Sequence, residues 1–305
     1  MSRITGLNET GVSGICYDEL HDKLFIAYRN SNIDIIYRND IFNVPDIKKK
    51  NIVGDKKIYN IFPFNNRFYL STGLGVIVID GAKYEVKDSW FIGNSGSQVK
   101  VNGFAADNSF FYAATEEGLK RTSVNTIDPA NFLNWQNLSG ANGLPAGTCN
   151  DVIAVQNKVM ALKNDSLYVL NGNSWNLFFT ETGWLIQNIN SSSGKILICE
   201  RKNDGSAKVT SLNADGTVAR VLQQSGLVSF PQKAILFNND YWVADSTGGL
   251  TKFMSSGYEN YQLNSPQSIA TGEMIMSNGI FYRKNNFSIL ICYFILDPFV
   301  IILFI

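Results

Sequence analysis

The feature that most constrains this chain is a short apolar run, ending on a small residue before a turn, that recurs along almost its whole length. Six copies are legible: Leu24-Phe25-Ile26-Ala27-Tyr28, Phe68-Tyr69-Leu70-Ser71-Thr72, Phe111-Tyr112-Ala113-Ala114-Thr115, Val159-Met160-Ala161-Leu162, Leu197-Ile198-Cys199-Glu200 and Trp242-Val243-Ala244-Asp245. With Ala27, Ser71, Ala114, Ala161, Cys199 and Ala244 taken as equivalent, the intervals are 44, 43, 47, 38 and 45 residues. A period of about 40 to 45 residues, rich in β-branched and aromatic residues, is that of a four-stranded propeller blade.

Other markers keep the same phase. A turn and a second strand-like run follow several copies, as in Gly75 to Asp80, Gly118 to Lys120, Ser166 to Leu170 and Gly249 to Phe253. A Gly-Leu pair opens three repeats, at Gly6-Leu7, Gly143-Leu144 and Gly226-Leu227. In the fifth repeat, Lys195 to Arg201, Ala207 to Leu212 and Thr217 to Leu222 form a meander broken at Asn203-Asp204-Gly205 and Asp215-Gly216, the chemistry of tight hairpins. These acidic turns lack the ligand spacing of an EF-hand. No long stretch has helical period with caps.

The expected fold is therefore all-β, a β-propeller of four-stranded blades, six countable and an incomplete seventh beginning at Ile275. The propeller is expected to occupy residues 1–286. Residues 287–305 are almost wholly apolar, interrupted by Asp297-Pro298, and read as a non-native, out-of-frame tail rather than a membrane span. The opening Met1 to Gly6 has neither the basic nor the apolar region of a signal peptide. Because Ile4-Thr5-Gly6-Leu7 looks like the middle of a repeat, the chain reads as a fragment at both ends.

Composition narrows the function. Of 305 residues, 26 are Lys or Arg and 26 are Asp or Glu, so no net field attracts nucleic acid. Cys16, Cys149, Cys199 and Cys292 are far apart, without zinc-ligand spacing, and read as buried free thiols. The single histidine, His21, falls in a polar connection, so no Ser-His-Asp, Cys-His or multi-histidine centre can be assembled. Gly73-Leu74-Gly75 lacks the third glycine and following helix of a nucleotide loop and reads as a hairpin turn. No catalytic pair of carboxylates and no cofactor or metal site emerges; the chain reads as a binding protein, not an enzyme such as a propeller lyase or lactonase.

Two features invite a ligand. Lys48, Lys49, Lys50, Lys56 and Lys57 crowd one segment of a neutral chain and could hold an anionic polymer, although short charge runs are commonly solvated connections. Trp135 and Trp175 each come late in a repeat and could stack on a sugar, but packing between blades is the ordinary use of such aromatics.

The segments Asn30 to Ile36, Asp46 to Asn60 and Tyr69 to Asp80 resemble the N-terminal propeller region of PorZ-type proteins of the type IX secretion system of Bacteroidetes. The likeness is densest over residues 5–93. It implies a cell-surface or outer-membrane component of the attachment complex, acting as scaffold beside the other complex proteins, including the sortase, and binding anionic lipopolysaccharide in support of cargo sorting. The family supplies no ligand residue that transfers position by position. The alternative reading is the extracellular ligand-sensing propeller of a two-component regulator, whose blades also open on a Gly-Leu turn.

Overall fold

Each of the six small-residue runs is the second strand of a four-stranded antiparallel sheet. The computed structural model describes residues 6–262 and the three strands Met274–Ser277, Ile280–Asn285 and Ser288–Ile291. Blade 1 comprises β1 (Val12–Asp18), β2 (Lys23–Tyr28), β3 (Ile33–Tyr37) and β4 (Asp40–Val44). After a short helix α1 (Asp46–Lys49), blade 2 follows with β5 (Ile58–Phe64), β6 (Arg67–Thr72), β7 (Val76–Asp80) and β8 (Glu85–Trp90). Blade 3 has β9 (Val101–Ala106), β10 (Phe110–Thr115), β11 (Gly118–Ser123) and a two-residue β12 (Gln136–Asn137). Blade 4 has β13 (Asp151–Val155), β14 (Lys158–Lys163), β15 (Ser166–Asn171) and β16 (Ser174–Thr180). Blade 5 has β17 (Leu185–Ser192), β18 (Lys195–Arg201), β19 (Ala207–Leu212) and β20 (Val218–Leu222). Blade 6 has β21 (Pro231–Phe237), β22 (Asp240–Asp245), β23 (Gly249–Met254) and β24 (Gly257–Tyr261).

Every blade is a plain meander, so its backbone hydrogen bonds close within one sheet. The first strands of successive blades are neighbours, β1 beside β5, β5 beside β9, and on through β13 and β17 to β21, and they line the central channel. The expected architecture of six blades is thus observed. Beyond them β25 (Met274–Ser277), β26 (Ile280–Asn285) and β27 (Ser288–Ile291) form a three-stranded antiparallel sheet. The expected out-of-frame tail, apart from β27, lies outside the described residues.

Turn chemistry accounts for the strand spacing. The hairpins joining the first two strands of blades 2, 4 and 6 turn through Asn65-Asn66, Gln156-Asn157 and Asn238-Asn239, both residues at positive φ in each case. That is the type I′ turn, which asparagine tolerates because its short polar side chain hydrogen-bonds locally. The Asp-Gly turns of blade 5 are built differently: only Gly205 and Gly216 have positive φ, while Asp204 and Asp215 accept the N–H of Ser206 and Thr217. Gly73-Leu74-Gly75 is the expected hairpin turn, closed by Thr72 N–H donating to the Gly75 carbonyl at 2.9 Å. A Cβ on Gly75 would lie 2.2 Å from the Trp90 carbonyl oxygen, so this position requires glycine.

Side chains from facing blades form the core, one apolar cluster per seam. All six marker residues are buried. The faces they occupy differ by one register in blade 4. Ala27 packs in the seam toward blade 2, Ala114 toward blade 4 and Cys199 toward blade 6, whereas Ala161 faces back toward blade 3. Met160 and Leu162 take the forward-facing places instead, because adjacent strand residues point to opposite faces. Trp135 and Trp175 pack in the seams on either side of blade 3, as interblade filler. Cys149 and Cys199 are buried free thiols and Cys16 is partly buried, with burial pushing Cys149 and Cys199 up to about 12 and Cys16 up to about 11.

Candidate functional site at the channel mouth

In every blade the first strand begins, and the second ends, on the same face of the propeller. The connection from one blade to the next reaches that face too, so loop residues far apart in sequence gather around the channel mouth. The lysine-rich connection between β4 and β5, residues 45–57, belongs to this face.

The structure divides the five lysines. Lys56 Nζ donates to the carbonyls of Ile47, Lys48 and Lys50, at 3.1, 3.3 and 2.6 Å, satisfying backbone acceptors at the end of α1. Lys48 pairs with Glu9. Lys57 Nζ stands 5.2 Å from the centre of the Tyr59 ring, and Lys100, which the sequence alone did not single out, stands 4.5 Å from it. Lys49 and Lys50 are exposed, and neither side chain takes part in a hydrogen bond or ion pair among the described residues. Of the run, Lys49, Lys50 and Lys57 keep their charge free for a partner, while Lys100 beside them is paired with Glu116 at 3.9 Å.

Tyr59 links this loop to the channel. Its hydroxyl donates to Asp55, and that bond holds the phenol up at about 12 and, with the Lys57 N–H, holds the Asp55 carboxyl below its ordinary range. A Cβ on Gly73 would lie 2.6 Å from Asp55, so the glycine turn of blade 2 is what lets the lysine loop lie flat against it.

Beside Tyr59 a cavity of about 280 Å³ opens between the first strands of blades 2 to 5. Asn102, Asp151, Gln187 and Asn188 line it. Asp151 is buried, with its carboxylate accepting the Val152 N–H at 2.8 Å. Burial pushes its carboxyl up to about 7 despite that bond and the field of Lys233. Space for the carboxyl exists only because residue 103 is glycine, where a Cβ would sit 1.9 Å from Asp151 Oδ1. Asn102 Nδ2 donates to the Cys149 carbonyl at 2.8 Å. The amide oxygens of Asn188 and Asn190 are buried without a hydrogen-bond partner among the described residues.

Sequence reasoning missed this cavity because its residues are scattered over about 130 positions and meet only when the blades close. The available signal was polar: Asn102 and Asp151 stand in first strands that are otherwise largely apolar, and Gln187, Asn188 and Asn190 make that of blade 5 half polar.

On the opposite face a shallower cavity of about 490 Å³ is lined by His21, Lys23, Tyr37, Arg38 and Tyr84. Lys23 is already engaged, since its Nζ donates to the Gly81 carbonyl at 2.5 Å and to Asn66 Oδ1 at 2.8 Å, and Arg38 lies 4.9 Å over the Tyr37 ring. His21 Nδ1 lies 2.8 Å from Asp18. Among the described residues no group of three or more His, Cys, Asp or Glu side chains could hold a metal ion, and no helix is long and apolar enough to cross a membrane.

Residues 1–136 match the family of the N-terminal β-propeller domain of PorZ, a type IX secretion system (TSS9) protein. No curated protein matches the chain in sequence. Among solved structures the chain is similar to PorZ, an essential bacterial surface component of the type IX secretion system of Porphyromonas gingivalis, with 22% identity and a TM-score of 0.73 over 93% of this chain. It is also similar to the extracellular domains of the putative hybrid two-component systems BT4673 and BT3049 of B. thetaiotaomicron. These are 11% and 12% identical, with TM-scores of 0.61 and 0.62 over 94% and 93% of this chain. The chain spans 37% of the PorZ chain and 38% and 40% of the two regulator domains.

Proposed function

We propose that this chain, whose residues 1–136 match the PorZ N-terminal propeller family, is a non-catalytic, surface-exposed part of a type IX attachment complex. In that reading the propeller is a scaffold that docks beside the sortase and binds anionic lipopolysaccharide through the lysine loop in support of cargo sorting. The observation that carries the ligand is the division of the loop: Lys56 and Lys48 fold it, and Lys49, Lys50 and Lys57 present charge beside the channel mouth, next to Lys100 and its exposed partner Glu116. All of these residues fall within the family-matched segment.

Clustered cations on one loop bind a polyanion by summed charge, so the interaction weakens as salt screens it. The test is a titration of anionic lipopolysaccharide against the wild type and a variant carrying Lys49→Gln, Lys50→Gln, Lys57→Gln and Lys100→Gln, which spares the two lysines that hold the loop. Loss of at least tenfold in affinity, with a steep salt dependence in the wild type only, supports the reading. Equal binding by both proteins overturns it. The regulator ectodomains share the propeller fold at 11–12% identity, which favours no sensing role for this chain.

A further inference from the structure

The channel-mouth cavity has a chemistry distinct from the loop beside it. Its polar lining is dominated by side-chain amides, Asn102, Asn150, Gln187 and Asn188, and an amide both donates and accepts hydrogen bonds. The Asn188 oxygen is buried and unpartnered, a state that costs free energy unless something supplies a donor. Tyr59, fixed by its bond to Asp55 and approached over its ring by Lys57 and Lys100, closes one side of the rim.

Charge argues against an ionic occupant of either sign. A cation would approach past Lys57 and Lys100, which flank Tyr59, and would lie in the field of Lys233 that reaches Asp151. An anion would have to meet the Asp151 carboxyl and the bare Asn188 oxygen inside. Hydroxyl groups satisfy both requirements, since each can donate to one acceptor and accept from one donor. A volume of about 280 Å³ falls just under the ~300–1,000 Å³ of pockets for drug-sized ligands, which sets the occupant at roughly one ring.

We propose that this cavity binds a compact, uncharged, polyhydroxylated ligand, a single saccharide unit, with Tyr59 at its rim and Gln187, Asn188 and Asp151 on its hydroxyls. The site is independent of lipopolysaccharide binding by loop charge, and either can fail without the other.

The test is saturation-transfer difference NMR on the full chain with free glucose, galactose, mannose, rhamnose and N-acetylglucosamine in the millimolar range. At least one sugar is expected to show transfer in the wild type. The signal should fall at least tenfold in Tyr59→Ala and in Asn188→Leu, and persist in the Lys49→Gln, Lys50→Gln variant. Asn188→Leu removes the unpartnered amide, so its thermal midpoint should match or exceed that of the wild type while binding is lost, a split that a merely structural asparagine would not give. Should Tyr59→Ala loosen the lysine loop through Asp55, the Asn188 variant decides alone. Absence of transfer from every sugar in the wild type, or undiminished transfer in Asn188→Leu, overturns the proposal.

Discussion

The seam between blades 2 and 3 and the seam between blades 4 and 5 occupy equivalent places in the propeller and are filled by opposite means. The first is aromatic: Tyr69 stacks on Phe104 with ring centres 5.2 Å apart, and Phe111, Trp90 and Trp135 close around them. The second is aliphatic within, from Ile153, Met160, Ile196, Ile198 and Leu212, and at the mouth face it becomes ionic. There Glu200 is fully buried, accepts the Thr210 hydroxyl, and lies 3.9 Å from Lys208. Lys208 in turn pairs with Glu181 at 2.5 Å and covers the Trp184 ring at 4.1 Å. The first seam adds to its rings one buried cation, Lys120, which donates to the Ile92 carbonyl and pairs with Glu117; the second holds its mouth end around a fully buried carboxylate, a charge arrangement that is costly unless complete.

The largest expected effect follows from the aromatic seam. Phe104→Ala removes a ring that touches both blades and should cost about 3–5 kcal/mol of unfolding free energy in a denaturant titration. A loss below about 1 kcal/mol would erase the contrast between the seams. Next is Lys208→Met, which leaves Glu200 buried without its cation and should cost about 2–3 kcal/mol. Glu200→Met combined with it should recover most of that loss, as a thermal-melt double-mutant cycle would show.

Acidity sharpens the comparison further. Burial raises the carboxyls of both Glu200 and Asp151, the latter to about 7, so the folded state binds protons that the unfolded chain has released. Stability from these groups is therefore fully present near and below the ordinary carboxylate range and is lost as pH rises toward 7. For Asp151 the loss between pH 5 and 7 is on the order of 2 kcal/mol, and Asp151→Asn should flatten the profile. The aromatic seam contributes nothing to that slope, so an unchanged profile in Asp151→Asn would place the titration elsewhere. The smallest effect belongs to the exposed loop: Lys49→Gln with Lys50→Gln should move unfolding by less than about 0.5 kcal/mol.

What was legible in the sequence was whatever repeats. The second strands were marked by Ala27, Ser71, Ala114 and their counterparts, and the blade period followed. In blade 4 the marker slipped by one residue because Leu162, not a small residue, fills the forward-facing place, and only the neighbouring blade reveals which face is which. The Asn-Asn hairpins were passed over because the signal sought was Asn-Gly or Asp-Gly. Charge density singled out the lysine loop, but could not tell that the Lys56 ammonium faces backbone carbonyls, which depends on how the chain folds back after α1. The channel cavity left only polar residues scattered through first strands as its signal, because its walls come from four blades that meet only on folding.

That every blade completes its own backbone hydrogen bonding has an evolutionary reading. No main-chain bond ladder needs to be matched between neighbouring sheets, so each seam is free to change its filling, rings in one and ions in another, without disturbing the next. The chain and the PorZ propeller can therefore share a path through space at 22% identity, and drift acts on such a protein seam by seam.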